Sequence, residues 1–138
     1  MKRLALMALT IGAGLMLARP STAAAQSSAP PGGAYKMVSS LVPLPDFVPG
    51  LGTLYVDPAT LPAGPFLAYD REGRLVSSVY MIPLAAMNEQ RNFDGLRVGD
   101  GTVDHVDIQY NAGHPGVAEP HYHVTLWYVS PQEAAGLQ

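Results

Sequence analysis

The side chains with chemistry to offer are gathered near the C-terminus. All four histidines of the chain, His105, His114, His121 and His123, lie within one short stretch, together with Asp104, Asp107 and Glu119. On an extended strand, residues i and i+2 project from the same face, so His121 and His123 point together and can share one metal ion. His105 and Asp107 share a face of the preceding strand by the same rule. If the two strands pair antiparallel, these sets can meet across the ladder, with His114 and Glu119 delivered by the connecting loop. The expected ligands are His121 and His123 first, then Glu119, then His114 and His105. Asp104 and Asp107 are expected either to fix an imidazole through its other ring nitrogen or to stand as solvated carboxylates at the strand edge. Nitrogen and oxygen donors of this kind suit a divalent transition metal (Zn²⁺, Cu²⁺, Ni²⁺, Mn²⁺ or Fe²⁺) over Cu⁺. An open coordination position would support hydrolytic or oxygen chemistry, and a closed four-ligand site would mark a structural ion.

The plain alternative is that these histidines are hydrogen-bonded core residues. The face of His121 and His123 continues as Thr125, Trp127 and Val129, while Tyr122, Val124, Leu126 and Tyr128 form the other. A strand apolar on both faces is a central one. Cupins carry an HxH pair with a nearby glutamate on an antiparallel barrel, but here Glu119 precedes the pair and the flanking glycines are missing.

The elements that must position these residues follow from pattern and punctuation. Residues 53–57, 65–69, 75–82, 103–110 and 121–129 have strand composition. The polar, glycine-containing spacer Asp70–Arg74 fits a hairpin loop exposed to solvent. Residues 83–90 switch to helix formers behind Pro83, and Ser130-Pro131-Gln132-Glu133 fits a capping box opening a terminal helix. The tyrosines recur on the strands, where aromatics serve the core. A tyrosine-lined ligand pocket is the sharper reading and needs a cavity of at least about 300 Å³. Strands dominate, so the expected fold is mostly β, a small antiparallel barrel or sandwich with one or two short helices, with α+β as the second choice.

Residues 1–25 have the form of an export signal: Lys2 and Arg3, an apolar run from Leu4 to Leu17, then Ala23-x-Ala25 before Gln26. The run is shorter than the roughly 20 residues that span a bilayer, so cleavage and no lasting membrane anchor are expected. That gives a periplasmic or secreted address. Residues 26–34 (QSSAPPGGA) read as a flexible leader, and 35–138 as a single β-rich domain. The apolar stretch from Tyr35 to Gly52 is broken by Pro43, Pro45 and Pro49. It is expected to wrap the domain or to dock on a second copy in a homo-oligomer.

Composition excludes several classes. Of 8 basic and 11 acidic side chains, the export segment holds Lys2, Arg3 and Arg19, so the remainder carries 5 against 11, a net charge of −6. With no basic run to neutralise phosphates, nucleic acid is excluded as a partner. Cysteine is absent, which removes disulfides, thiolate metal sites and cysteine nucleophiles. No phosphate loop or nucleophile elbow is present.

The blocks YVDPATLPAGPFLAYDREGRLVSSVYMIPL (55–84) and VDHVDIQYNAGHPGVAEPHYHVTLWYV (103–129) resemble a family of small exported bacterial proteins of unknown function. Its type is a Thermus hypothetical protein under a sigma-E-type regulator, and NAGHPGVAEPHYH is the most specific element. The resemblance implies a shared fold and an envelope-stress context, and no activity. Two functions are therefore expected. One is an exported domain that binds a transition metal through the histidine-rich hairpin HPGVAEPHYH. The other is a non-catalytic module that oligomerises or binds a small ligand, with structural histidines.

Overall fold

A computed structural model describes residues 26–138. The expected export signal, 1–25, lies outside the described residues. The strands are β1 (Lys36–Met37), β2 (Thr53–Val56), β3 (Phe66–Tyr69), β4 (Leu75–Pro83), β5 (His105–Asn111) and β6 (His121–Trp127), with short helices α1 (Leu84–Asn88) and α2 (Pro131–Ala135). All pairings are antiparallel, in the order β1-β2-β3-β4-β6-β5, so β1 and β5 are edges and the sheet is open. The fold is thus the mostly β, antiparallel one that strand composition implies. Among the described residues no helix is long and apolar enough to cross a membrane.

Local chemistry accounts for these elements. Asp70 accepts the Arg74 backbone N–H at 2.8 Å and its guanidinium Nε–H at 2.8 Å, closing the β3–β4 turn. Asp70 is buried beneath the turn, while Arg71, Glu72 and Arg74 are exposed, as the composition of the spacer suggests. The capping box at α2 is formed on both sides: Ser130 Oγ accepts from Glu133 N–H, and the Glu133 carboxylate accepts from Ser130 N–H. At α1, Pro83 is the N-cap and ends β4, one position earlier than a first-turn proline would sit.

Register sorts side chains onto two faces. Val56, Phe66, Val79 and Met81 share one, and with Val38 they form a core cluster that Val42, Leu44 and Val117 pack against. The segment after β1 makes this possible. A 3₁₀ turn at Val38–Ser40 redirects the chain, Ser39 Oγ donates to Asp46 at 2.6 Å, and Phe47 lies under the Arg71 guanidinium at 3.9 Å. The prolines bar a regular helix or long strand, the chain turns back on itself at Val48–Gly52, and the stretch wraps across the sheet as expected. The wrap leaves a cavity of about 310 Å³ beneath it. On the opposite face, Tyr55 and Tyr69 meet edge to face with Leu67 beside them. There the Gly99 N–H donates to Ser78 Oγ and Tyr128 Oη, and the Tyr80 hydroxyl donates to the Arg97 carbonyl.

The first residues of the leader pair with the body of the domain. Residues 26–34 hold no large apolar side chain, but backbone hydrogen bonds do what side-chain burial cannot. Ala29 N–H donates to Gly73 O, Leu75 N–H donates to Ser27 O, and the Tyr69 hydroxyl donates to Gln26 O. Residues 26–29 are laid along the β3–β4 hairpin.

Ser77, fully buried in mid-β4, has no hydrogen-bond partner for its hydroxyl among the described residues. An unsatisfied buried hydroxyl costs about 1–3 kcal/mol. Ser77→Ala is therefore expected to raise the unfolding free energy by about 1 kcal/mol, read as a higher urea midpoint at unchanged slope. A lower midpoint would show the hydroxyl to be satisfied in solution.

Candidate metal centre

Three of the four histidines meet. β6 starts at His121, opposite Pro83 of β4 and Asn111 of β5, and His123 lies opposite Met81 and Gln109. Both imidazoles fall on the face of Met81 and Val79, under the wrapped segment. His114 arrives from the β5–β6 loop through the turn His114-Pro115-Gly116-Val117, whose ends are paired by His114 N–H to Val117 O at 2.9 Å and Val117 N–H to His114 O at 3.0 Å. Pro at the second position and Gly at the third, with φ of +91°, make the type II turn that the dipeptide favours. The turn folds His114 back over β6.

The ring nitrogens are oriented by the main chain. His121 Nδ1 is 2.7 Å from Glu119 O, and His114 Nδ1 is 3.0 Å from Pro115 O. A carbonyl only accepts, so each Nδ1 carries the proton and each Nε2 of a neutral ring presents a lone pair. His123 Nε2 lies 2.9 Å from His121 Nε2 and 3.4 Å from His114 Nε2. One donor atom from each of the three rings falls within 4.8 Å of the others. Nitrogens about 2.1 Å from a common ion are separated by about 3.0–3.4 Å for angles between 90° and tetrahedral. Both separations from His123 are of that size, and backbone carbonyls holding Nδ1–H are the usual outer support of a histidine ligand.

Electrostatics keep His123 neutral. Burial, reinforced by the neighbouring His121 and His114, lowers the His123 pKa to about 4. At neutral pH this ring therefore offers a lone pair without having to lose a proton first.

The remaining expected residues are elsewhere. His105 opens β5, and antiparallel pairing sets the start of β5 against the end of β6, so His105 faces Trp127. Trp127 is four residues from His123, roughly 13 Å along a strand. There His105 stacks on the Trp127 ring at 5.9 Å and 15°, and its Nδ1 meets Asp104 at 2.9 Å. Asp107 accepts the Trp127 indole N–H at 2.9 Å. These three groups serve the tryptophan end of the sheet and not the cluster. Glu119 acts through its main chain: the side chain is exposed, and its carbonyl holds His121. Pro120 follows it, and a proline disfavours the helical conformation for the residue before it, which narrows that carbonyl's direction.

Sequence reasoning missed the cavity and Asn111. The cluster opens on the cavity, since His114 and His123 are among its lining residues, with Asn111 beside them. The remaining walls are almost wholly aliphatic and include no tyrosine.

No protein-family model matches the chain, and no curated protein matches it. Among solved structures, the hypothetical protein TTHB210 of Thermus thermophilus is 49% identical and superposes with a TM-score of 0.61, the match covering 68% of this chain and 86% of that one. The two proteins belong to one family. The Thermus member is described only as hypothetical, so the family brings a fold and no activity.

The lowered pKa of His123 has a consequence for stability. Its ordinary value near 6.5 applies to the unfolded chain, and about 4 applies to the folded one. Between those values the unfolded chain binds the proton more readily, so the stability contributed by neutral His123 is complete above about pH 6.5 and is lost as pH falls toward 4. Metal-free protein is expected to show a thermal midpoint that declines over this window, by circular dichroism, with a shallower decline in His123→Gln. Parallel profiles for parent and variant would remove His123 as the cause.

Proposed function

We propose that the protein is an exported domain of the cell envelope that binds one divalent transition-metal ion through His114, His121 and His123. The observation that carries this reading is the convergence of three imidazole nitrogens, two of them fixed as acceptors by backbone carbonyls. Hydrogen bonding among the rings alone cannot satisfy them. His123 Nε2–H can donate to one neighbour, and the other lone pair is left facing nitrogen; a cation satisfies all three. Three neutral imidazoles without a carboxylate favour Zn²⁺, Cu²⁺, Ni²⁺ or Fe²⁺ over the harder Mn²⁺. Three protein ligands leave a position for water or a ligand, as in sites where the ion acts as a Lewis acid.

The export signal read at 1–25 and the envelope-stress context implied by the family resemblance support the address. A homo-oligomer is also proposed. Val106, Ile108 and Tyr110 of the edge strand β5 are 50%, 67% and 55% exposed in a row on one face, an apolar strip of the kind that partners cover. The second reading is a metal-free small-ligand module in which the histidines are structural, and the cavity is the observation in its favour.

Elemental analysis of untagged protein separates the two. Near-stoichiometric metal is expected in the parent, with at least a tenfold loss of occupancy in His121→Ala/His123→Ala. His105→Ala and Glu119→Gln are expected to keep the ion. A parent that neither carries nor takes up Zn²⁺, Cu²⁺ or Ni²⁺ would leave the module reading.

A further inference from the structure

The cavity beside the histidines is polar at one end only. Of its lining residues, Asn111, His114 and His123 are polar, and the rest of the wall is Val, Leu, Phe, Met, Pro and Gly. Asn111 lies opposite His121 across the β5–β6 ladder, so the polar groups form one patch and the aliphatic groups the remainder. A small domain that holds an apolar space open forfeits contacts its walls would make on closing, and it has little core to spare. An apolar cavity with a few convergent polar groups is the ordinary form of a small-molecule site.

We propose that this cavity holds the tail of a medium-chain aliphatic carboxylate, whose head ligates the ion on His114, His121 and His123. The proposal rests on the metal reading above and names the ligand class of that site. Charge decides the head. Among the described residues no Lys or Arg lines the cavity, and no carboxylate joins the three rings. A divalent ion on three neutral imidazoles keeps its full charge in an apolar setting, where an anionic oxygen is the most favourable fourth ligand. The same ion is the only group at the cavity able to compensate a buried carboxylate. Asn111 Oδ1 already accepts from Gly113 N–H at 2.8 Å, which leaves the amide NH₂ as the end with hydrogens to donate to a second head-group oxygen.

Volume decides the tail. About 310 Å³ is twice the roughly 150 Å³ that accepts a benzene-sized molecule, which sets the occupant at about ten to twelve heavy atoms. Octanoate and decanoate are of that size. Leu41 and Leu61 line the cavity while 45% and 46% exposed, and so form an apolar rim through which such a tail would enter.

The test is calorimetric titration of Zn²⁺-loaded full chain with acetate, butyrate, octanoate, decanoate and 1-octanol, metal content being read in parallel by elemental analysis. Affinity is expected to rise about threefold to fourfold per methylene up to eight or ten carbons and then level off. Octanoate is expected to bind at least tenfold tighter than 1-octanol, and that advantage should vanish in His121→Ala/His123→Ala. Val79→Phe, which fills the cavity, should abolish the chain-length dependence while the metal stays. Leu61→Trp at the exposed rim serves the same purpose if the core variant does not fold. Stoichiometric metal with acetate binding as tightly as octanoate would overturn the tail assignment and leave the metal reading standing. Octanoate and 1-octanol binding equally, with or without metal, would overturn the role of the head. A chain that takes up no metal would fail the metal reading itself, and the proposal with it.

Discussion

β6 is hydrogen-bonded on both sides, and its register against β4 and β5 is the constraint on which the chemistry of this molecule depends. With His121 opposite Pro83 and His123 opposite Met81, both rings enter the space beneath the wrapped segment. A slip of one residue would turn them to the opposite face, where the tyrosine cluster and the Gly99 loop pack. The register is held from several directions. Leu84 N–H donates to Pro120 O at the start of β6, and Thr125 and Trp127 are buried farther along. The site inherits its position from ordinary sheet pairing and needs no strained backbone of its own.

Within that frame the cluster is short of protons. Two rings have their Nδ1–H groups committed to carbonyls, and the third cannot satisfy both lone pairs presented to it. Adding a proton would relieve the shortage, but burial and the neighbouring rings oppose it at His123. A polar group at odds with its surroundings therefore sits where three nitrogens converge, at the mouth of an apolar space.

Much of this is legible in the residues themselves. Strands, hairpin and terminal cap follow from composition and punctuation, and the i, i+2 rule places His121 and His123 on one face. His-Pro-Gly-Val carries its own turn chemistry, which delivers His114. What stays hidden requires register or atom identity. The nine residues linking β5 to β6 do not say where the ladder begins, so sequence groups His105 with the cluster although pairing sends it to Trp127. The type of residue 119 points to a carboxylate, whereas the working atom is a main-chain oxygen. The aliphatic residues between 38 and 61 look like any core, because volume left unfilled is a property of the assembled chain and of no local pattern. The pairing of residues 26–29 with the hairpin escapes a compositional reading for a related reason: it is made by main-chain groups, which every sequence carries.

The turn that carries His114 also touches the roof of the cavity. A methyl group on Gly116 would come within 2.7 Å of the Val42 side chain, so the loop and the wrapped segment are in direct contact with no slack between them. Val42 and Gly116 both line the cavity, so its wall includes the wrapped segment and the turn that seats His114. Under the proposed reading, filling the apolar space and binding at the nitrogens would therefore be linked equilibria, each altering the other's affinity by the same factor.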